Sequence, residues 1–117
     1  MKTYSFENML AWKEARILVK LVYTITKSFP KEEIYGLTSQ IRRAAVSIAS
    51  NLSEGSARIT DADQKNFYKT AYSSAMESLN QAIISNDLEY LTDDQLVEFR
   101  LQLDKTTYLI NQLRKGL

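Results

Sequence analysis

The chain has no cysteine and no histidine. Their absence excludes a disulfide framework, a Cys/His zinc site, a thiol nucleophile and any triad built on an imidazole base. Three glycines and one proline among 117 residues are too few turn formers for a sandwich or barrel of many short strands. No stretch of roughly 18 apolar residues occurs, so no membrane-spanning helix is expected. Near the N-terminus Lys13, Glu14 and Arg16 interrupt the apolar residues. A signal peptide is therefore not expected, and the expected location is the cytoplasm. Asn51-Leu52-Ser53 matches a glycosylation acceptor, but without a secretory route the match is chance.

A surplus of charge of one sign is also missing, with 15 Lys and Arg against 14 Asp and Glu. Near-neutrality implies no strong nonspecific attraction to nucleic acid. The balance is uneven along the chain. Residues 1–58 hold nine basic and five acidic side chains, and residues 59–117 hold six basic and nine acidic. In an antiparallel bundle the two halves pack together, and this asymmetry helps them meet. With 44% apolar and 25% charged residues, the chain has the composition of one ordinary globular domain.

Helical periodicity covers four segments, and sustained period-2 alternation covers none. The first segment, about 6–28, carries Phe6, Leu10, Ile17, Leu18, Leu21, Val22 and Ile25, and stops before Phe29-Pro30. The second, about 38–55, places Leu37, Ile41, Ala44, Ala45, Ile48 and Leu52 on one face. Thr38 is its expected N-cap, with an earlier start near Glu32 as the alternative, and Gly55 its expected C′ glycine. The third, about 61–87, opens at Thr60-Asp61-Ala62-Asp63, and the fourth, about 93–115, at the capping box Thr92-Asp93-Asp94-Gln95. The fourth ends on Arg114-Lys115-Gly116, basic residues followed by glycine. Short connections make successive helices antiparallel neighbours, so the fold class is all-α, an antiparallel up-down four-helix bundle in one domain. The expected core contains Leu10, Leu18, Ile25, Ile41, Ile48, Phe67, Leu79, Leu96, Leu103 and Ile110. Trp12, Val19, Tyr23, Val46, Ala49, Leu101 and Leu109 fall partly outside the core stripes, and a monomer would expose many of them. That pattern predicts a closed homo-oligomer.

Two polar lines run beside the apolar faces. On the second helix Gln40, Arg43, Ser47, Asn51 and Glu54 fall within about 80° of arc. On the third, Asn66, Thr70, Ser74, Glu77 and Gln81 make the matching line. The reading that joins them is a structural polar network of Arg43, Ser47, Asn51, Glu54, Ser74 and Glu77, with Arg43 paired to Glu54 or Glu77 and dependent on Glu77. A plain solvated face with i,i+4 pairs and a ligand or catalytic site are the competing readings. Carboxylate-bridged di-iron bundles need Glu-x-x-His, which a chain without histidine cannot supply. A magnesium ion at Glu54 and Glu77 would compete with Arg43. No metal, cofactor or catalytic residue is expected, and the chain reads as a non-enzyme. Basic and aromatic residues interleave at Arg42, Arg43, Arg58, Lys65, Tyr68, Lys69 and Tyr72, a mixture that can hold phosphates and stack bases. Packing or an oligomer interface is the stronger reading for the two tyrosines. The candidate nucleic-acid contacts are the cations Arg42, Arg58, Lys65 and Lys69.

Phe29-Pro30, Glu33, Gly36-Leu37-Thr38, Gln40-Ile41-Arg42-Arg43-Ala44-Ala45, Ser47-Ile48, Asn51, Glu54-Gly55 and Arg58 form a pattern that continues in Phe67, Ala71, Ser74 and Glu77. It resembles the small four-helix-bundle proteins encoded in intervening sequences of bacterial 23S ribosomal RNA, from Phe6 to about Leu91. Leu52-Ser53 stands where Ile-Ala is common in that family, and Ser73 where Gly is common. The resemblance implies an up-down bundle assembling as a ring-shaped homopentamer. A related branch serves diversity-generating retroelements, where the ring binds nucleic acid and the reverse transcriptase; those relatives look more basic than this chain. Two functions follow as expectations. One is an accessory protein that binds RNA or DNA through the ring, and the other is a protein-interaction scaffold without nucleic-acid contact.

Overall fold

The computed structural model describes residues 1–117 and contains four α-helices and no strand. They are α1 (Leu10–Ile25), α2 (Leu37–Ser56), α3 (Asp61–Asp87) and α4 (Asp93–Lys115). Thr92 accepts from the Gln95 amide (3.1 Å) while the Gln95 side chain accepts from the Thr92 amide (3.0 Å), a complete capping box that starts α4. Thr60 Oγ1 accepts from the Asp63 amide at 3.2 Å and starts α3.

The first segment differs from the continuous helix that periodicity suggests. Short 3₁₀ turns at Ser5–Asn8 and Thr26–Ser28 bracket α1, and Met9 between the first turn and α1 is extended. The break lets the Phe6 ring meet Trp12 edge-on, with centroids 5.0 Å apart. It also turns Leu10 outward, 65% exposed, so Ala11 occupies the core position instead. Gly36, not Thr38, precedes the first residue of α2, and Thr38 is buried inside the helix. Gly55 likewise lies within α2 and not beyond its end. A Cβ there would sit 2.7 Å from Tyr68 Cε1 and 2.9 Å from Phe67 Cβ, so its lack of a side chain serves close helix approach.

Each helix touches two neighbours, α1 with α2 and α4, and α3 with α2 and α4. Cross-helix partners run in opposite directions: Ser47 meets Ser74 while Gly55 faces Phe67 and Tyr68. Gln102 of α4 bonds Glu14 of α1, and Arg42 of α2 reaches Thr26 at the far end of α1. This is the arrangement of an antiparallel up-down bundle.

The core holds Leu18, Val22, Ile25, Ile41, Ile48, Leu52, Phe99, Leu103 and Ile110. Phe67 is half-buried, and Leu79 and Leu96 pack against the core while partly exposed. On α3 the fully buried positions are mostly small, Ala71, Ala75, Ser78, Ala82 and Ser85. Small residues facing Ala44, Ala45 and Gly55 let α2 and α3 lie close together. No helix is long and apolar enough to cross a membrane.

Candidate functional site

Two regions collect the polar and charged residues, the seam between α2 and α3 and one end of the bundle. In the seam, Asn51 Nδ2 donates to the Ser47 carbonyl (2.8 Å) and to Ser47 Oγ (3.1 Å). Ser47 Oγ lies 2.9 Å from Ser74 Oγ. Ser47 Oγ accepts from Asn51 and bonds Ser74 Oγ, with either hydroxyl able to donate, and a short chain runs from α2 to α3. The structure thus brings together Ser47, Asn51 and Ser74. Arg43, Glu54 and Glu77 are exposed and take no part in these hydrogen bonds. The sequence reading has Arg43 partly buried and dependent on Glu77. The helices meet through their small residues, and the long charged side chains stay at the rim, in water.

Beyond the Ser47–Ser74 bridge the seam opens into a groove of about 500 Å³. Gln40, Arg43, Ala44 and Ser47 line it from α2, and Ser74, Glu77 and Gln81 from α3. Glu54 is not among the lining residues. Gln81 is 7% exposed, and its Oε1 accepts no hydrogen bond. No group of three or more acidic, His or Cys side chains is placed to hold a metal ion.

The four candidate cations differ in their surroundings. Arg42 Nε donates to Thr26 Oγ1 (2.9 Å), and its guanidinium lies 4.6 Å above the Tyr23 ring. It clamps α2 to the end of α1 and is the most engaged of the four. Arg58 is exposed with its guanidinium 4.6 Å from the Phe67 ring centre, which leaves its outer edge open. Lys65 and Lys69 are exposed on α3. The antiparallel packing adds residues that the sequence reading assigned only to ending α4. Arg114 and Lys115 join Lys65 and Asn111 around a depression of about 350 Å³. Arg114 lies 5.1 Å above the Tyr72 ring and donates to Asn111 Oδ1 at 3.2 Å. Nothing in the linear spacing announces that Lys65 and Arg114 meet; only the chain reversal does. Tyr68, read as a possible stacking ring, is buried in the core, and burial raises its hydroxyl above tyrosine's ordinary value of 10.0.

The other end of the bundle carries Glu32, Glu33, Asp87, Glu89, Asp93 and Asp94 in its two connectors and helix ends. Lys27, Lys31 and Arg42 are basic residues at that end, and Glu7, Glu54, Asp61 and Asp63 are acidic residues at the Lys65 end. Glu33 Oε2 accepts from the Tyr90 hydroxyl at 3.3 Å. Burial first, then the Glu33 charge and hydrogen bond, raise the Tyr90 hydroxyl as well. Near-zero net charge therefore conceals an end-to-end polarity.

Fold and site together define an all-α four-helix bundle with a polar inter-helix seam and one basic end. Within that class, residues 7–112 match the family model described as 23S rRNA-intervening sequence protein, and the chain belongs to that family. It is also similar to a crystal structure, at 1.70 Å resolution, of a protein of unknown function from the S23 ribosomal protein family of Bacteroides thetaiotaomicron. The TM-score is 0.80 at 19% identity, over 90% of this chain and 99% of that one, a likeness of fold. Comparison with curated proteins gives no match.

Proposed function

We propose that this chain is a non-enzymatic, nucleic-acid-associated bundle that works as a closed homo-oligomer and contacts phosphates through its basic end. The observation that carries the reading is the convergence of Lys65, Arg114 and Lys115 on one depression, with Arg58 and Lys69 nearby. Cations clustered this way neutralise several phosphates at once, although the molecule as a whole is close to neutral. The family relation to ribosomal RNA insertions makes RNA the first ligand to test.

Assembly is supported by two separate apolar surfaces. Trp12 and Val19 of α1 and Val46 and Ala49 of α2 line a groove of about 240 Å³. On α4, Val97, Leu101 and Tyr108 are all more than half exposed at steps of four and seven, a stripe opposite that helix's buried face. Two different surfaces suit a head-to-tail contact, which closes into a ring when the rotation allows. The family resemblance implies five subunits. The same apolar surfaces favour the second reading, a protein scaffold, if the basic end binds nothing.

The test is binding of single-stranded RNA over a salt series, with Lys65→Ala/Arg114→Ala beside the native protein. Affinity should fall as salt rises, and the double variant should flatten the log–log slope by about 1.4 if each cation neutralises one phosphate. Absence of binding at low salt would leave the scaffold.

A further inference from the structure

We propose that the groove between α2 and α3 binds a small zwitterion of the amino-acid class, a molecule carrying one carboxylate and one amino group. Gln81 is more than nine-tenths buried and lines the groove, yet its Oε1 accepts nothing from the protein. A buried acceptor left unpaired costs stability, and native structures contain few of them, many at sites of function. Ser85, buried one turn further along the same face of α3, also has a hydroxyl oxygen with no partner. Two unmet groups one turn apart on one helix face are unusual.

The chemistry of the lining selects the ligand. Arg43 on α2 and Glu77 on α3 stand on opposite walls, and Ala44 is the one apolar residue among the seven that line the groove. A carboxylate suits the Arg43 wall, because guanidinium matches it in a bidentate fork. An ammonium suits the Glu77 wall, and Gln81 Oε1, shielded from solvent in this structure, meets its remaining protons after rotation of the side-chain amide toward the groove. Neither an anion nor a cation alone satisfies both walls. A nucleobase would lack an aromatic ring to stack on, since none lines the groove. The site is polar and open to solvent, so affinity in the millimolar range is expected. It uses neither the basic end nor the two apolar surfaces and stands independently of the RNA reading.

The experiment is amide NMR titration of the intact protein with the common free L-amino acids, one at a time. At least one should give saturable shifts centred on Ala44, Ser47, Ser74 and Gln81. Arg43→Gln and Glu77→Gln, both exposed and outside the Ser47–Ser74 bridge, should each weaken that binding by about tenfold or more. Gln81→Met, which removes the unpaired acceptor at similar volume, should abolish binding while keeping or raising the melting temperature. The proposal is overturned if no amino acid gives localised saturable shifts. It is also overturned if Arg43→Gln and Glu77→Gln bind like the native chain, or if acetate or methylamine alone binds as tightly.

Discussion

The two flanks of α2 face different neighbours and are finished differently. Toward α3 the contact is made by Ala44, Ala45, Ser47 and Gly55, close packed and crossed by the Asn51–Ser47–Ser74 hydrogen bonds. Toward α1 the outer edge is Trp12, Val19, Val46 and Ala49, an apolar groove open to solvent. Small residues and hydroxyls close one flank inside the subunit from Ser47 to Gly55, and beyond Ser47 it opens into the polar groove. Apolar residues on the other leave surface open to solvent, the face that the proposed assembly would cover. Polarity marks the intramolecular seam here, and exposed apolar surface marks the face proposed for assembly.

The largest effect should come from the residue between the flanks. Ile48 is fully buried, and Ile48→Ala should cost about 2–5 kcal/mol, read by chemical denaturation. Gly55→Ala comes next. Its new Cβ would press on Phe67 and Tyr68, at about 1–3 kcal/mol for overpacking, against about 1 kcal/mol gained in helix propensity. A net loss in melting temperature would place the tight contact on the α3 flank; a gain would show that the flank has room. Smaller again are Ser47→Ala and Ser74→Ala, each costing about 0.5–1.5 kcal/mol. Their effects should be non-additive in a double-mutant cycle, since each loses the same bond.

Tyrosine titration sharpens the account at the seam's two ends. Both Tyr68 and Tyr90 have hydroxyls raised above the unfolded value of 10.0. A raised folded pKa favours the neutral form, so its stabilisation is complete below about pH 10 and is lost as pH rises through the folded value. Melting temperature should fall on moving into that alkaline range. The fall should be shallower in Tyr68→Phe/Tyr90→Phe, by a margin smaller than any of the substitutions above.

Much of the bundle is legible in the sequence because its punctuation is local. Thr60 and Thr92 cap α3 and α4 through residues three positions on, a signal that needs no tertiary knowledge. The start of α1 is not legible that way, because the break at Met9 goes with a ring contact between Phe6 and Trp12. Gly55 reads as a helix end by residue type, and only the position of Phe67 and Tyr68 reveals it as a point of close approach. The candidate sites follow the same rule. The Ser47–Ser74 meeting follows from two matching polar lines. The engagement of Arg42 by Tyr23 and Thr26, and the convergence of Lys65 with Arg114, depend on which helix ends share a side.

Solution mass decides whether the α1 flank of α2 and the outer stripe of α4 are assembly surfaces while the α3 flank is not. Light scattering at micromolar concentration should give the native chain a mass several times 13.4 kDa, near five subunits. Val46→Glu and Leu101→Glu should each reduce it toward the single chain with helicity retained, and Glu77→Ala should leave it unchanged. A native chain that scatters as a monomer, or a Val46→Glu variant with undiminished mass, would contradict the account.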